Sequence, residues 1–188
     1  MALIHYQFEA IHPFFDGNGR TGRIINILYL VMQGIIDIPV LYTSKRIIDK
    51  KSHYYRLLKE VTEKNVWEAW ILFILDVVES TAILTAGRIN NIRILLDKTL
   101  TTARKKLPSR VYSKELIELI FRQPYTKTKF LVDVGLAERK TAAEYLKELE
   151  KIGLLESKKI GRENLYLNKN LYKVHDDMSK TWTYHHVG

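Results

Sequence analysis

The 188-residue chain has no cysteine, which excludes a disulfide framework and any thiolate metal site. It shows no secretory leader: residues 1–11 carry His5 and Glu9 and lack a small-residue cleavage pattern. Long hydrophobic runs are missing too. The most apolar stretch, Trp70 to Val78, is interrupted by Asp76 and falls short of a bilayer's thickness. A cytoplasmic protein with no membrane partner is the expectation. Nor is there a basic arm. The net charge of +9 is spread, with 15 basic against 10 acidic residues in 1–106 and 14 against 9 in 107–175. Such an excess favours anionic partners, nucleotide or nucleic acid, and equally describes a generally basic surface. With 46% hydrophobic residues the chain can bury a core in one or two domains.

Against these absences stands one dense run, His12-Pro13-Phe14-Phe15-Asp16-Gly17-Asn18-Gly19-Arg20-Thr21-Gly22-Arg23. A glycine-rich turn lets backbone N–H groups converge on an anion, and the helix that it opens adds a positive dipole end. Arg20 and Arg23, at i and i+3, share a face of that helix's first turn. Cations there oppose the macrodipole, so a strongly negative ligand between them is the compensating element. Each part alone has a duller meaning. Asp-Gly-Asn-Gly is most often a turn, two arginines at this spacing a solvated face, and a single histidine a structural residue. His5, His53, His175, His185 and His186 are read in that last way, and only the setting of His12 lifts it out.

The pattern predicts a mostly helical chain. Ala2 to Ile11 reads as the end of a buried helix leading into the loop. Gly19 to Gln33, apolar nearly all round, reads as a central buried helix ended by Gly34. Ser44 is the expected N-cap of a helix through about Thr62. A long pattern runs from Val66 to Lys106, with a bend expected near Gly87. Trp67, Trp70 and Phe73, at helical spacing, read as core. Pro108-Ser109 marks a boundary. Helices are expected over Lys114–Arg122, Thr126–Val134 (ended by Gly135) and Glu138–Ile152, with Ala142, Ala143, Leu146 and Leu149 inward and Gly153 closing. Two short strands, Leu154–Lys158 and Asn164–Leu167, follow. Helix, helix, helix, hairpin is the order of a winged helix. The expected domains are 1–106, 107–175 and a tail, 176–188.

The run from His12 to Arg23 resembles the signature of the Fic family, His-x-Phe-x-(Asp/Glu)-Gly-Asn-Gly-Arg-x-x-Arg, at every specified position. Eight fixed positions coincide by chance at a given site with a probability on the order of 10⁻¹⁰. The similarity continues through Ile24–Gln33, Pro39-Val40-Leu41-Tyr42, Tyr54-Tyr55-Arg56 and Trp67-Glu68-Ala69-Trp70, over about residues 1 to 100. The fold class implied is mainly α: a Fic-type helical bundle, incomplete at its N-terminus, followed by a small winged-helix α+β domain.

The resemblance implies a protein adenylyltransferase that moves AMP from ATP to a hydroxyl side chain of a target protein. His12 would be the general base, since an imidazole titrates near neutrality. Asp16 would hold Mg²⁺, which takes one or two carboxylates besides phosphate oxygens and water. Gly17, Asn18 and Gly19 would form a nest for the α- and β-phosphates. Arg20 and Arg23 would neutralise the outer phosphates and the departing pyrophosphate. Phe14 would pack inward and fix the loop.

The family's β-hairpin flap and preceding helices have no counterpart in the eleven residues before His12. The family's inhibitory pattern, Ser/Thr-x-x-x-Glu-Gly/Asn, also finds no match, because Glu163 has Lys159 four residues before it. A fragment that keeps the phosphate site but transfers AMP weakly or not at all is the expectation. Three alternatives stay open. The winged helix binds DNA, through Arg139 and Lys140 on its third helix and Lys158, Lys159 and Arg162 in the wing, with a non-catalytic Fic remnant beside it. It docks a target protein or a second subunit, a homo-oligomer included; Glu138, Glu144, Glu148 and Glu150 on the same helix favour that over phosphates. Or another phosphate-containing group than AMP is transferred.

Overall fold

The computed structural model describes residues 1–161 and 163–179. The chain divides into two compact units, residues 1–87 and 88–188. In the first unit, α1 (Ala2–Ile11) leads through the signature loop into α2 (Asn18–Met32); α3 (Ser44–Asp49), α4 (Lys51–Lys64) and the first half of α5 (Trp67–Lys106) follow. The core joins Ile47 of α3, Tyr54, Leu57 and Val61 of α4, and Trp70, Phe73, Ile74 and Val77 of α5. Those α5 positions recur at helical spacing, and Trp70 is fully buried. The expectation that Trp70 and Phe73 are core residues holds.

Several expectations for this unit are corrected. Neither α1 nor α2 is a buried helix among the described residues. α1 buries only His5. α2 buries Asn18, Gly22, Asn26 and Leu30, a narrow stripe at i, i+4, while Ile24, Leu28 and Met32 are exposed. Apolar periodicity reports which faces avoid water, and not whether a neighbour covers them. Ser44 does not cap. Thr43 occupies that position, and the expected single helix breaks at Lys50 into α3 and α4. α5, one helix of 40 residues, is long and apolar enough to cross a membrane by length and composition alone, contrary to the shorter run expected. Trp70, Phe73, Ile74 and Val77 of this helix are buried in the core just described, and Ala103 in the core of the second unit.

In the second unit, the end of α5 is followed by α6 (Lys114–Leu119), β1 (Tyr125–Thr126), α7 (Thr128–Asp133), α8 (Arg139–Lys151), β2 (Glu156–Ile160), β3 (Glu163–Leu167) and α9 (Lys169–Ser179). Residues 88–106 of α5 group with this unit. The sheet has the antiparallel order β1-β3-β2, with Ser157 opposite Tyr166 and Thr126 also opposite Tyr166. Ala103, Leu107, Leu116, Leu131, Leu146 and Leu149 lie at the centre of its core. Ser113 caps α6 by accepting from the Leu116 N–H at 3.1 Å. Gly135 and Gly153, at φ +71° and +79°, close α7 and α8.

Two differences from the sequence reading stand out here. Thr126 forms a strand with Tyr125 instead of opening α7, because the two pair with β3. α9 occupies residues where no helix was expected and runs into the segment assigned to the tail. Asn168 starts α9, its Oδ1 accepting from the Leu171 N–H at 3.1 Å and its own N–H donating to the Pro124 carbonyl at 2.8 Å. The remainder of the tail, 180–188, lies outside the described residues.

Candidate functional site

The signature run forms a hook between α1 and α2. α1 ends at His12, whose left-handed backbone (φ 49°) turns the chain while its N–H still donates to the Phe8 carbonyl at 3.1 Å. Gly17, at φ +88°, occupies the N-cap position of α2, a conformation a side chain disfavours. Between these turns the loop is tied by Asn18. This residue is 3% exposed; its Oδ1 accepts from the Phe14 N–H at 3.0 Å and its Nδ2 donates to the Phe14 carbonyl at 2.5 Å. Phe14 therefore fixes the loop through its backbone. Its ring is half exposed and tilted against Phe8 at 6.2 Å, not packed inward.

The charged groups have separate partners. Arg20 Nη2 donates to Asp16 Oδ2 at 2.9 Å, and Asp16 Oδ1 accepts from the Gly17 N–H at 2.6 Å. Arg23 turns elsewhere: its Nε donates to Ser44 Oγ at 2.9 Å, and its Nη1 lies 3.2 Å from the point where a Cβ on Gly19 would stand. His12 and Asp16 are exposed at the mouth of the hook. Asp16 is the one carboxylate of the signature. Among the described residues no group of three or more His, Asp or Glu side chains converges on a metal position. One carboxylate with phosphate oxygens and water still suits Mg²⁺, provided Asp16 releases Arg20.

Beneath the hook lies a layer that the sequence did not reveal. His5 is fully buried, stacked on Trp70 at 5.8 Å, with its Nε2 2.9 Å from the Tyr54 hydroxyl. Burial holds its pKa down to about 4; the Gly22 backbone works against that shift and the Arg23 charge adds to it. Burial raises the Tyr54 hydroxyl, and the Glu9 charge adds to that. Glu9, on the last turn of α1, has a buried Oε1 with no hydrogen-bond partner. Burial raises its pKa, while Arg23 and His12 pull the other way. A Cβ on Gly22 would stand 2.6 Å from Glu9 Oε1 and 3.0 Å from His5 Cε1, so the two helices approach closely there and a larger residue would displace the Glu9 carboxylate.

The basic residues named for the second unit are dispersed. Arg139 and Lys140 are exposed in the first turn of α8, and Lys158 and Lys159 are exposed on β2. Adjacent strand residues face opposite sides, so the two lysines do not form one patch. Arg162 lies outside the described residues, as do the side chains of His175, His185 and His186. On α8 the bases alternate with acids. A groove of about 480 Å³ is lined by Arg110, Thr141, Glu144, Lys147, Glu148 and Lys151, and Lys151 pairs with Glu148.

Two families match the chain. Residues 1–30 match the family described as Fic/DOC, and residues 95–171 match the C-terminal domain of protein adenylyltransferases described as SoFic-like. Among curated proteins, the protein adenylyltransferases Fic of Drosophila grimshawi and Drosophila erecta are each 38% identical over 80 residues. The matched stretch is 43% of this chain and 15% of each relative.

Proposed function

We propose that the chain belongs to the Fic family, whose models match residues 1–30 and 95–171, and that its α1–loop–α2 hook binds the triphosphate of ATP for transfer of AMP to a hydroxyl group of a target protein. The observation that carries this reading is the clustering, on one turn held by Asn18, of an exposed imidazole, a carboxylate, a glycine-opened helix N-terminus and two arginines. The names of the matched relatives support it.

In this mechanism, backbone N–H groups of Asn18 and Gly19 receive phosphate oxygens at the positive end of α2, joined by that of Gly17 once it exchanges Asp16 Oδ1 for a phosphate oxygen. The Asn18 side chain is occupied by Phe14, so it contributes through its backbone. His12 takes the proton of the target hydroxyl as that oxygen bonds to the α-phosphorus. The bond from that phosphorus to the α,β-bridging oxygen breaks, and pyrophosphate leaves. Arg20 and Arg23 offset the charge of the departing group. Mg²⁺ bound by Asp16 would supply Lewis-acid neutralisation of the phosphate oxygens. The work is positioning and electrostatics.

Calorimetry with MgATP tests the site: Arg23→Ala and Arg20→Ala should each weaken affinity. Mass spectrometry of a lysate incubated with labelled ATP and the longer native protein should find a hydroxyl residue bearing AMP, lost with His12→Ala, and this chain alone should label it weakly. Equal nucleotide affinity in wild type and both arginine variants would sink the reading.

For the second unit, the order helix, strand, helix, helix, hairpin and the sheet order β1-β3-β2 support a winged helix. The alternating charges of α8 favour docking of a protein over reading of DNA by that helix. A duplex affinity that falls steeply with salt and disappears on Lys158→Ala/Lys159→Ala/Arg162→Ala would reverse that preference.

A further inference from the structure

Arg23 is the arginine of the signature whose guanidinium is held from outside the hook. Its Nε donates to Ser44 Oγ at 2.9 Å, across 21 residues of sequence, and the bond is partly buried. Ser44 is the first residue of α3, yet its hydroxyl does no capping work, because Thr43 stands at the N-cap position. A guanidinium is planar and rigid, so fixing its Nε–H limits rotation about the last torsion of the side chain. With Nε engaged, the donors left free are those of Nη1 and Nη2, the pair that grips two oxygens of a phosphate side by side. Nη1 already leans over Gly19, 3.2 Å from the point a Cβ there would occupy. The unpartnered Oε1 of Glu9 lies 3.9 Å from the same point. A guanidinium without the Ser44 anchor would be free to turn towards that carboxylate instead of a phosphate.

We infer that Ser44 is a positioning residue of the nucleotide site: its hydroxyl occupies Arg23 Nε and thereby aims the two Nη groups at the phosphates above Gly19. The inference rests on the proposed ATP site and adds to it a residue from a different helix, outside the signature.

The test is MgATP affinity of the full chain by calorimetry, with thermal melting alongside, for Ser44→Ala, Ser44→Thr, Ser44→Val, Arg23→Ala and the double variant Ser44→Ala/Arg23→Ala. Threonine and valine have nearly the same shape, so any packing disturbance is common to both and only the hydroxyl distinguishes them. Loss of a hydrogen bond to a charged group predicts an affinity about tenfold weaker for Ser44→Ala and Ser44→Val. Ser44→Thr should remain close to wild type, and the double variant should be no weaker than Arg23→Ala alone. If Ser44→Thr and Ser44→Val bind equally, or if Ser44→Ala weakens the Arg23→Ala protein further, Ser44 does not act through Arg23 and the inference is wrong. If Arg23→Ala itself binds like wild type, the ATP site is wrong and this inference goes with it.

Discussion

Asn18 holds the Phe14 peptide at both ends, accepting from its N–H at 3.0 Å and donating to its carbonyl at 2.5 Å. A primary amide is the side chain that offers an acceptor and a donor on one carbon. Asn18→Asp retains the acceptor and sets a carboxylate oxygen against the Phe14 carbonyl, inside a buried site and beside the phosphate nest. It should lower stability by about 1–3 kcal/mol and weaken ATP affinity more than Asn18→Ala does. Urea denaturation and calorimetry measure the two effects. An Asp variant as stable as wild type would refute the clamp.

Gly19 and Gly22 sit one turn apart and should respond in opposite ways. Gly19 is helical, and its would-be Cβ meets only Arg23 Nη1 at 3.2 Å and Glu9 Oε1 at 3.9 Å. Gly19→Ala should leave melting unchanged or improve it by up to about 1 kcal/mol while weakening nucleotide binding through Arg23. At Gly22 the same methyl would strike Glu9 Oε1 at 2.6 Å and the buried His5 ring at 3.0 Å. Gly22→Ala should cost about 1–3 kcal/mol, partly recovered by Glu9→Ala. Melting curves of the three variants decide it.

His5 gives the fold a pH dependence of known sign. Its pKa falls from 6.5 to about 4 on folding, so the unfolded chain binds the proton first. Stability contributed by the neutral ring is complete above 6.5 and declines as pH falls towards 4, by about 3 kcal/mol in all. Glu9, whose pKa is raised, acts oppositely, its contribution falling as pH rises above its ordinary value. Melting temperature against pH should therefore be flatter for His5→Gln than for wild type across the histidine window, whatever the absolute stability of the variant. Parallel curves would contradict the assignment.

The Asp16–Arg20 pair, by contrast, lies in water, with side chains 90% and 71% exposed. Exposed pairs of this kind contribute about 0–1 kcal/mol. Asp16→Asn should melt as wild type does, yet the magnesium dependence of ATP affinity should diminish. Titrations with and without magnesium provide the check, and an Asn variant with full magnesium dependence would remove Asp16 as the metal ligand.

What the sequence disclosed depended on where each signal was written. The hook was legible because His12, Asp16, Gly17, Arg20 and Arg23 are contiguous and their spacing has a local meaning. α7 and α8 of the second unit were legible because Ala142, Leu146 and Leu149 repeat at helical spacing and Gly135 and Gly153 close the two helices, whereas α9 was not. Ser44 as the partner of Arg23 was not, since a contact across 21 residues leaves no periodic trace. Glu9 and His5 lie on α1 among residues of mixed character, and their importance appears only when Gly22 of α2 is set against them. The exposure of Ile24 and Leu28 has the converse cause, because a hydrophobic side chain carries no mark of whether a neighbour covers it.

Three contacts at the start of α1 fix how that helix can lie: the Trp70 indole N–H donates to the Ala2 carbonyl at 3.0 Å, His5 meets the Tyr54 hydroxyl at 2.9 Å and Tyr6 meets Thr62 at 3.0 Å. An α-helix advances about 1.5 Å and turns about 100° per residue. A slip of α1 by a single residue would thus carry the imidazole at its far end to another quadrant. The aim of His12 is inherited from an indole far down the chain, which serves as the detent of a ratchet, and a one-residue insertion between Tyr6 and Ile11 would misdirect it even with every residue of the signature intact.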